Sequence, residues 1–194
     1  MLYERLEKLY KKNRVLAQEF PLQEYYSLLR GFMTKEVSLG AEFLSPYRFA
    51  LSYGIAPKQS LRFFLGLADD EDVIQQYYKY QCEECDTINI IKDEAGLFEF
   101  KCKRCGFEDH LVKAEYLSEV KLLFKINDDL LKEFISNLKE LPLTDVQKVS
   151  ANSDEGSYEE FSLSTYEEVA NEGGRSISKR SERLEEYRRA FHMY

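Results

Sequence analysis

A chain of 194 residues and 22.9 kDa is long enough for one domain with an appendage or for two small ones, and too short for a large multidomain enzyme. Apolar residues make up 44% of it, with 14 Tyr and 13 Phe, a composition that buries a core and excludes wholesale disorder. The 35 acidic and 27 basic residues leave a formal charge of −8, so the surface as a whole repels phosphate and any nucleic-acid contact needs a local patch. No apolar run approaches the roughly 18 residues that cross a bilayer, and residues 1–8 alternate charge instead of forming an apolar signal core, which predicts a cytoplasmic protein without membrane attachment.

Leu2, Leu6, Leu9, Tyr10, Leu16 and Ala17 recur at near-helical spacing, predicting one amphipathic helix to Phe20. Pro21 suits a helix start, and Leu22, Tyr25, Tyr26, Leu28, Leu29, Phe32 and Met33 carry the pattern into a second. Ser45-Pro46 reads as an N-cap and first helical position, opening a short helix through Phe49, Ala50 and Tyr53 that Gly54 ends in a left-handed conformation. Ile55-Ala56-Pro57 restarts a helix through Leu61, Phe63, Phe64 and Leu65, so residues 45–66 outline a helix-turn-helix.

Beyond the acidic Asp69-Asp70-Glu71-Asp72, residues 73–81 are rich in Tyr and β-branched side chains and predict a strand. Residues 87–91 and 97–100 flank Asp93-Glu94-Ala95-Gly96 as a hairpin, and residues 107–112 and 120–126 supply two further strands. Asn127 or Asp128 caps a helix carrying Leu130, Leu131, Phe134, Ile135, Leu138 and Leu141, closed by Pro142. Residues 150–181 are poor in branched apolar side chains and predict a mobile connector with one short helix over 166–170. A last helix over 182–192 places Leu184, Tyr187, Ala190 and Phe191 on one side, either to dock on a partner or to fold back on the N-terminal helices.

The strongest chemical signal is the cysteine pattern. All four Cys fall in two pairs, Cys82-Glu83-Glu84-Cys85 and Cys102-Lys103-Arg104-Cys105, with sixteen residues between them. In a reducing compartment such pairs point to metal thiolates, each biting one ion from a tight turn. Gly106 follows the second pair, where the turn needs room, and Asp86 stands in the matching place after the first. These residues closely resemble the zinc ribbon family over residues 77–112, which implies a small antiparallel sheet, two knuckles and one structural Zn2+ held by Cys82, Cys85, Cys102 and Cys105. Iron in a rubredoxin-like site and a redox dithiol are the alternatives. Lys101, Lys103 and Arg104 lie beside the anionic centre, either to neutralise it or to meet phosphate, and residues 77–116 carry six basic against nine acidic side chains.

The order helix-turn-helix, strand, ribbon over residues 36–112 resembles archaeal transcription factor E and related winged-helix proteins, in which an acidic protein contacts a large enzyme more than it grips DNA. Lys58, Gln59 and Arg62 on the second short helix are the candidates for nucleic-acid contact if that helix enters a major groove. His110 and His192 have no sequence-visible nucleophile or metal partner and read as surface residues, and there is no phosphate loop, G-x-G-x-x-G or H-E-x-x-H.

The fold class is therefore read as α+β: a mostly helical, helix-turn-helix or winged-helix-like part over 1–76, an antiparallel zinc ribbon over 77–116, a strand and helix closing the fold over 117–149, and a flexible acidic connector with a C-terminal helix over 150–194. The expected function is a non-enzymatic adaptor or accessory subunit with a protein partner in a bacterial multiprotein system, a defence system among the settings that suit it. The alternative is a DNA-binding transcriptional regulator, for which the charge predicts weak binding.

Overall fold

The structure, a computed structural model, describes residues 1–140 and 160–192, the side chains of 139, 140 and 192 apart. Among the described residues no helix is long and apolar enough to cross a membrane.

Three helices open the chain: α1 (Leu2–Lys12), α2 (Arg14–Glu19) and α3 (Leu22–Ser38). The single helix expected up to Phe20 is broken at Asn13, whose backbone is extended. The break has a side-chain cause. Asn13 Oδ1 accepts from the Leu16 N–H at 2.9 Å and caps α2, while its Nδ2 donates to the Ile177 carbonyl at 2.8 Å.

After the two-residue strand β1 (Phe43–Leu44) come α4 (Pro46–Tyr53) and α5 (Pro57–Leu67). Ser45 caps α4 through the Arg48 N–H, Pro46 takes the first helical position, and Gly54 stops the helix at φ 65°. Ser60 donates to the Pro46 carbonyl at 2.6 Å and ties α5 back to α4. Gly66 lets α5 lie against α2, since a Cβ there would sit 2.7 Å from Leu16 Cδ1. The body's core is aromatic: Phe49 lies 5.2 Å from Phe32, 5.7 Å from Phe63 and 5.6 Å from Phe64 between ring centroids, and Phe64 lies 5.5 Å from Phe124.

Phe124 belongs to the sheet. Strands β2 (Ile74–Gln81), β3 (Ile88–Ile91) and β6 (Lys121–Ile126) join β1 in the antiparallel order β1-β6-β2-β3, with Tyr77 opposite Leu123 and Tyr80 opposite Asn89. Along β2 the burial alternates, sending Ile74, Gln76, Tyr78 and Tyr80 inward. β2 runs through residues 76 and 77, so the helical body and the segment that bears the cysteines share one sheet.

Between β3 and β6 lie a five-residue helix, α6 (Glu94–Phe98), and a second two-stranded sheet of β4 (Phe100–Lys101) and β5 (Glu108–Asp109). The hairpin expected between residues 87–91 and 97–100 is absent. Asp93 accepts from the Gly96 N–H and nucleates α6 where a turn was expected, leaving β3 to pair with β2 alone.

β6 leads into α7 (Asp128–Glu140), which Asn127 caps as the sequence predicts. Leu141 and Pro142, its expected end, and residues 150–159 of the expected connector lie outside the described residues. Residues 160–192 are built into the fold. The Leu122 N–H donates to the Phe161 carbonyl and the Leu163 N–H to the Val120 carbonyl, after which α8 (Leu163–Ala170) lies on α5. α9 (Lys179–His192) packs on α6 with Ile177 and Leu184 buried. The last helix was expected on a partner or on the N-terminal helices; the structure places it on α6, between β3 and β4.

Candidate metal centre

Each cysteine pair sits in a tight turn, and the two turns are built alike. In the first, the Asp86 N–H donates to the Cys82 carbonyl at 2.8 Å and the Cys82 N–H to the Thr87 carbonyl at 3.0 Å. In the second, the Gly106 N–H donates to the Cys102 carbonyl at 3.1 Å and the Cys102 N–H to the Phe107 carbonyl at 2.8 Å. The residue after each pair is left-handed, Asp86 at φ 58° and Gly106 at φ 76°. Asp is among the non-glycine residues that bear this conformation at least cost.

The turns meet because each caps its own antiparallel pair, β2 with β3 and β4 with β5, and α6 folds one pair onto the other. Cys82 Sγ lies 3.6 Å from Cys105 Sγ, and Cys85 Sγ lies 3.6 Å from Cys102 Sγ. All four sulfurs fall within 4.8 Å of one another. Four thiolates at about 2.3 Å from a central ion form a tetrahedron with edges of about 3.8 Å, so the cluster fits one metal ion with no ligand left over. No disulfide joins them.

The metal-free thiols are already biased toward thiolate at two positions. Hydrogen bonds from the amides of Cys105 and Arg104 bring Cys102 down to about 6, and the hydroxyl and amide of Thr87 lower Cys85. Desolvation pushes Cys82 the other way, and against the lowering bond from the Phe107 amide, desolvation and the three neighbouring thiols push Cys105 up to about 12; a bound dication reverses both effects.

Asn89 was not singled out by the sequence reading. It is buried on the inner face of β3, where Nδ2 lies 3.6 Å from Cys102 Sγ and Oδ1 accepts from the Lys103 N–H at 3.2 Å. One amide thus orients a ligand sulfur and pins the second turn to the first. The signal was there in outline, a polar residue alternating with Ile88 and Ile90 at a position whose neighbours call for an apolar one. Of the basic residues beside the centre, Lys101 pairs across β4 and β5 with Glu108, while Lys103 and Arg104 are exposed.

The three candidates for nucleic-acid contact are separated by burial. Lys58 is exposed and pairs with Glu168 at 2.8 Å, and exposed Gln59 reaches the Tyr25 hydroxyl at 3.5 Å. Arg62, expected to be exposed, is 3% exposed: its guanidinium holds Glu19 and donates to the carbonyls of Val169, Ala170 and Arg175. The correction has a simple cause, the return of α8 across α5, which is far off in sequence. His110, expected at the surface, is half-buried and stacks on Phe98 at 4.7 Å between centroids, with Phe191 beyond it. The side chain of His192 lies outside the described residues.

A second buried polar cluster fastens α9 to β2 and α6. Glu94 Oε1 accepts from the Tyr78 hydroxyl at 2.6 Å and from Arg180 Nε at 2.7 Å, and Oε2 faces Arg183 Nε at 3.3 Å. Arg180 also donates to the carbonyls of Gln76 and Lys92, so one buried guanidinium joins α9, β2 and the start of α6. Burial raises Tyr78 well above its ordinary value, which keeps its hydroxyl a donor to Glu94.

Comparisons with protein families, curated proteins and solved structures return no match to this chain.

Proposed function

We propose that the chain is a non-enzymatic adaptor or accessory subunit, a winged-helix body whose wing carries a zinc ribbon, acting through protein contacts in a multiprotein assembly. The observation that carries this reading is the cover over α5. The helix that would enter a DNA groove turns Arg62 toward Glu19 and the backbone of residues 169–175 and has Lys58 paired with Glu168. Support for the winged-helix part lies in the order α3, β1, α4, α5, β2, β6 with β6 between β1 and β2, the ribbon being inserted where two wing strands would join.

The donor set supports zinc, which four thiolates at tetrahedral spacing suit without redox chemistry. When bound, the ion supplies two positive charges to a closed four-thiolate site and has no open position for water. The chain's own residues do the rest: the amides after Cys82 and Cys102 and the Asn89 side chain hold the thiolates in place.

Affinity purification from the native host, with mass spectrometry and nucleic-acid detection, tests the reading. A recurrent protein partner free of nucleic acid supports it. Tight duplex DNA binding at about 150 mM salt, lost when Lys58 and Gln59 are both changed to Glu, favours the transcriptional regulator instead. Exposed Lys58 and Gln59 at the start of α5 are the observation on which that second reading rests.

A further inference from the structure

We propose that β3 is the seam of a two-fold symmetric dimer, in which two copies of this chain pair their open β3 edges antiparallel and join their four-stranded sheets into one. β3 is the last strand in the order β1-β6-β2-β3. The Cys82 N–H donates to the Thr87 carbonyl, and antiparallel pairing alternates bonded with non-bonded residues. Along β3 it follows that Thr87, Asn89 and Ile91 are bonded to β2, while the N–H and C=O groups of Ile88 and Ile90 point out of the sheet's edge. The side chains of the same two residues are 60% and 40% exposed. The strand Ile88-Asn89-Ile90-Ile91 holds no Lys, Pro or bulge of the kind that blunts a free edge.

A second copy fits this edge in a definite register. With the two-fold axis at Asn89, Ile88 of one copy faces Ile90 of the other, and each such pair exchanges two N–H···O bonds. The Ile side chains then meet on the outer face, while Asn89 keeps its place at Cys102 on the inner one. The same register brings Asp86 of one copy to Lys92 of the other at both ends of the seam. Both side chains are exposed, and neither has a partner among the described residues. Sliding the second copy by two residues either way leaves one bonded pair within the strands, Ile88 with Ile88 or Ile90 with Ile90, where this register forms two. The register that uses the whole strand is therefore also one that sets opposite charges at its ends.

The test is sedimentation velocity on the metal-loaded full chain over about a hundredfold range of concentration, with amide exchange read at Ile88 and Ile90. The dimer fraction is expected to rise with concentration, and exchange at those two amides to slow by at least about tenfold in step with it. Ile90→Lys is expected to give a monomer with unchanged metal content, and Lys92→Glu, which sets like charges together at both ends, a weaker dimer. A monomer at every concentration overturns the proposal and leaves the edge to a different protein. A dimer in which Ile88 and Ile90 still exchange freely, or which survives Ile90→Lys undiminished, also overturns it by placing the interface elsewhere.

Discussion

The helical body and the segment that bears the cysteines are held by different means. In the body, Phe32, Phe49, Phe63, Phe64 and Phe124 are all buried and touch in a continuous chain, so its stability is spread over many contacts. Over residues 82–112 the buried apolar side chains are fewer, chiefly Ile91, Leu97, Phe100, Leu111 and Val112, and the end of the four-stranded sheet meets the two-stranded one at four sulfurs. A segment this size cannot offset its chain entropy by burial alone. The contrast teaches that loss of a single atom can matter more in the ribbon than loss of a ring in the body. The C-terminal segment straddles the difference, α8 resting on α5 and α9 on α6.

The largest effect should therefore come from breaking the metal site. Structural zinc contributes on the order of 10–16 kcal/mol of apparent binding free energy in small domains. Cys102→Ser is expected to abolish stoichiometric metal, read by elemental analysis, and to expose the ribbon to protease while α1 to α5 keep their far-ultraviolet signal.

Next comes the joint between the two regions. Arg180→Ala leaves Glu94 buried with only Tyr78 and Arg183 nearby, and breaking a buried pair on one side costs about 3–5 kcal/mol. A fall in Tm of roughly 10 °C is the expected reading for a chain of this length. Arg180→Met combined with Glu94→Leu should recover much of it, because the uncompensated charge is then gone.

Asn89→Ala acts at the metal centre alone. Metal affinity should fall about 10- to 100-fold, measured by competition with a chromogenic chelator, with the body's Tm unchanged. The smallest effect belongs to the body. Asn13→Ala removes a helix cap and a bond to the Ile177 carbonyl and should cost about 1–2 kcal/mol in urea unfolding.

Much of this was legible in the sequence where local chemistry decides. Ser45, Pro46, Gly54 and Pro57 mark both ends of α4 and the start of α5, because caps and prolines act on their own backbone. The two Cys pairs gave the cluster, and Asp86 takes the left-handed backbone that Gly106 takes after the second pair. What stayed hidden depends on partners distant in sequence. Arg62 looked like a free cation because Glu19 and the Val169 carbonyl lie 43 and 107 residues away. Residues 150–181 read as poor in core material because their anchors are few: Leu163, Tyr166, Val169 and Ile177 are buried, and Arg180 acts as a core residue through its ion pair. The hairpin error was local: Asp93-Glu94-Ala95-Gly96 holds turn residues, but an Asp before a Glu also caps a helix.

The most direct test of the account is residue-resolved amide exchange on the full chain before and after chelation, with metal content measured alongside. The account predicts one zinc per chain, and on its removal fast exchange across residues 82–112 while the buried amides of α3 and α5 stay protected. A folded protein with four free thiols, no bound metal and an equally protected ribbon would contradict it.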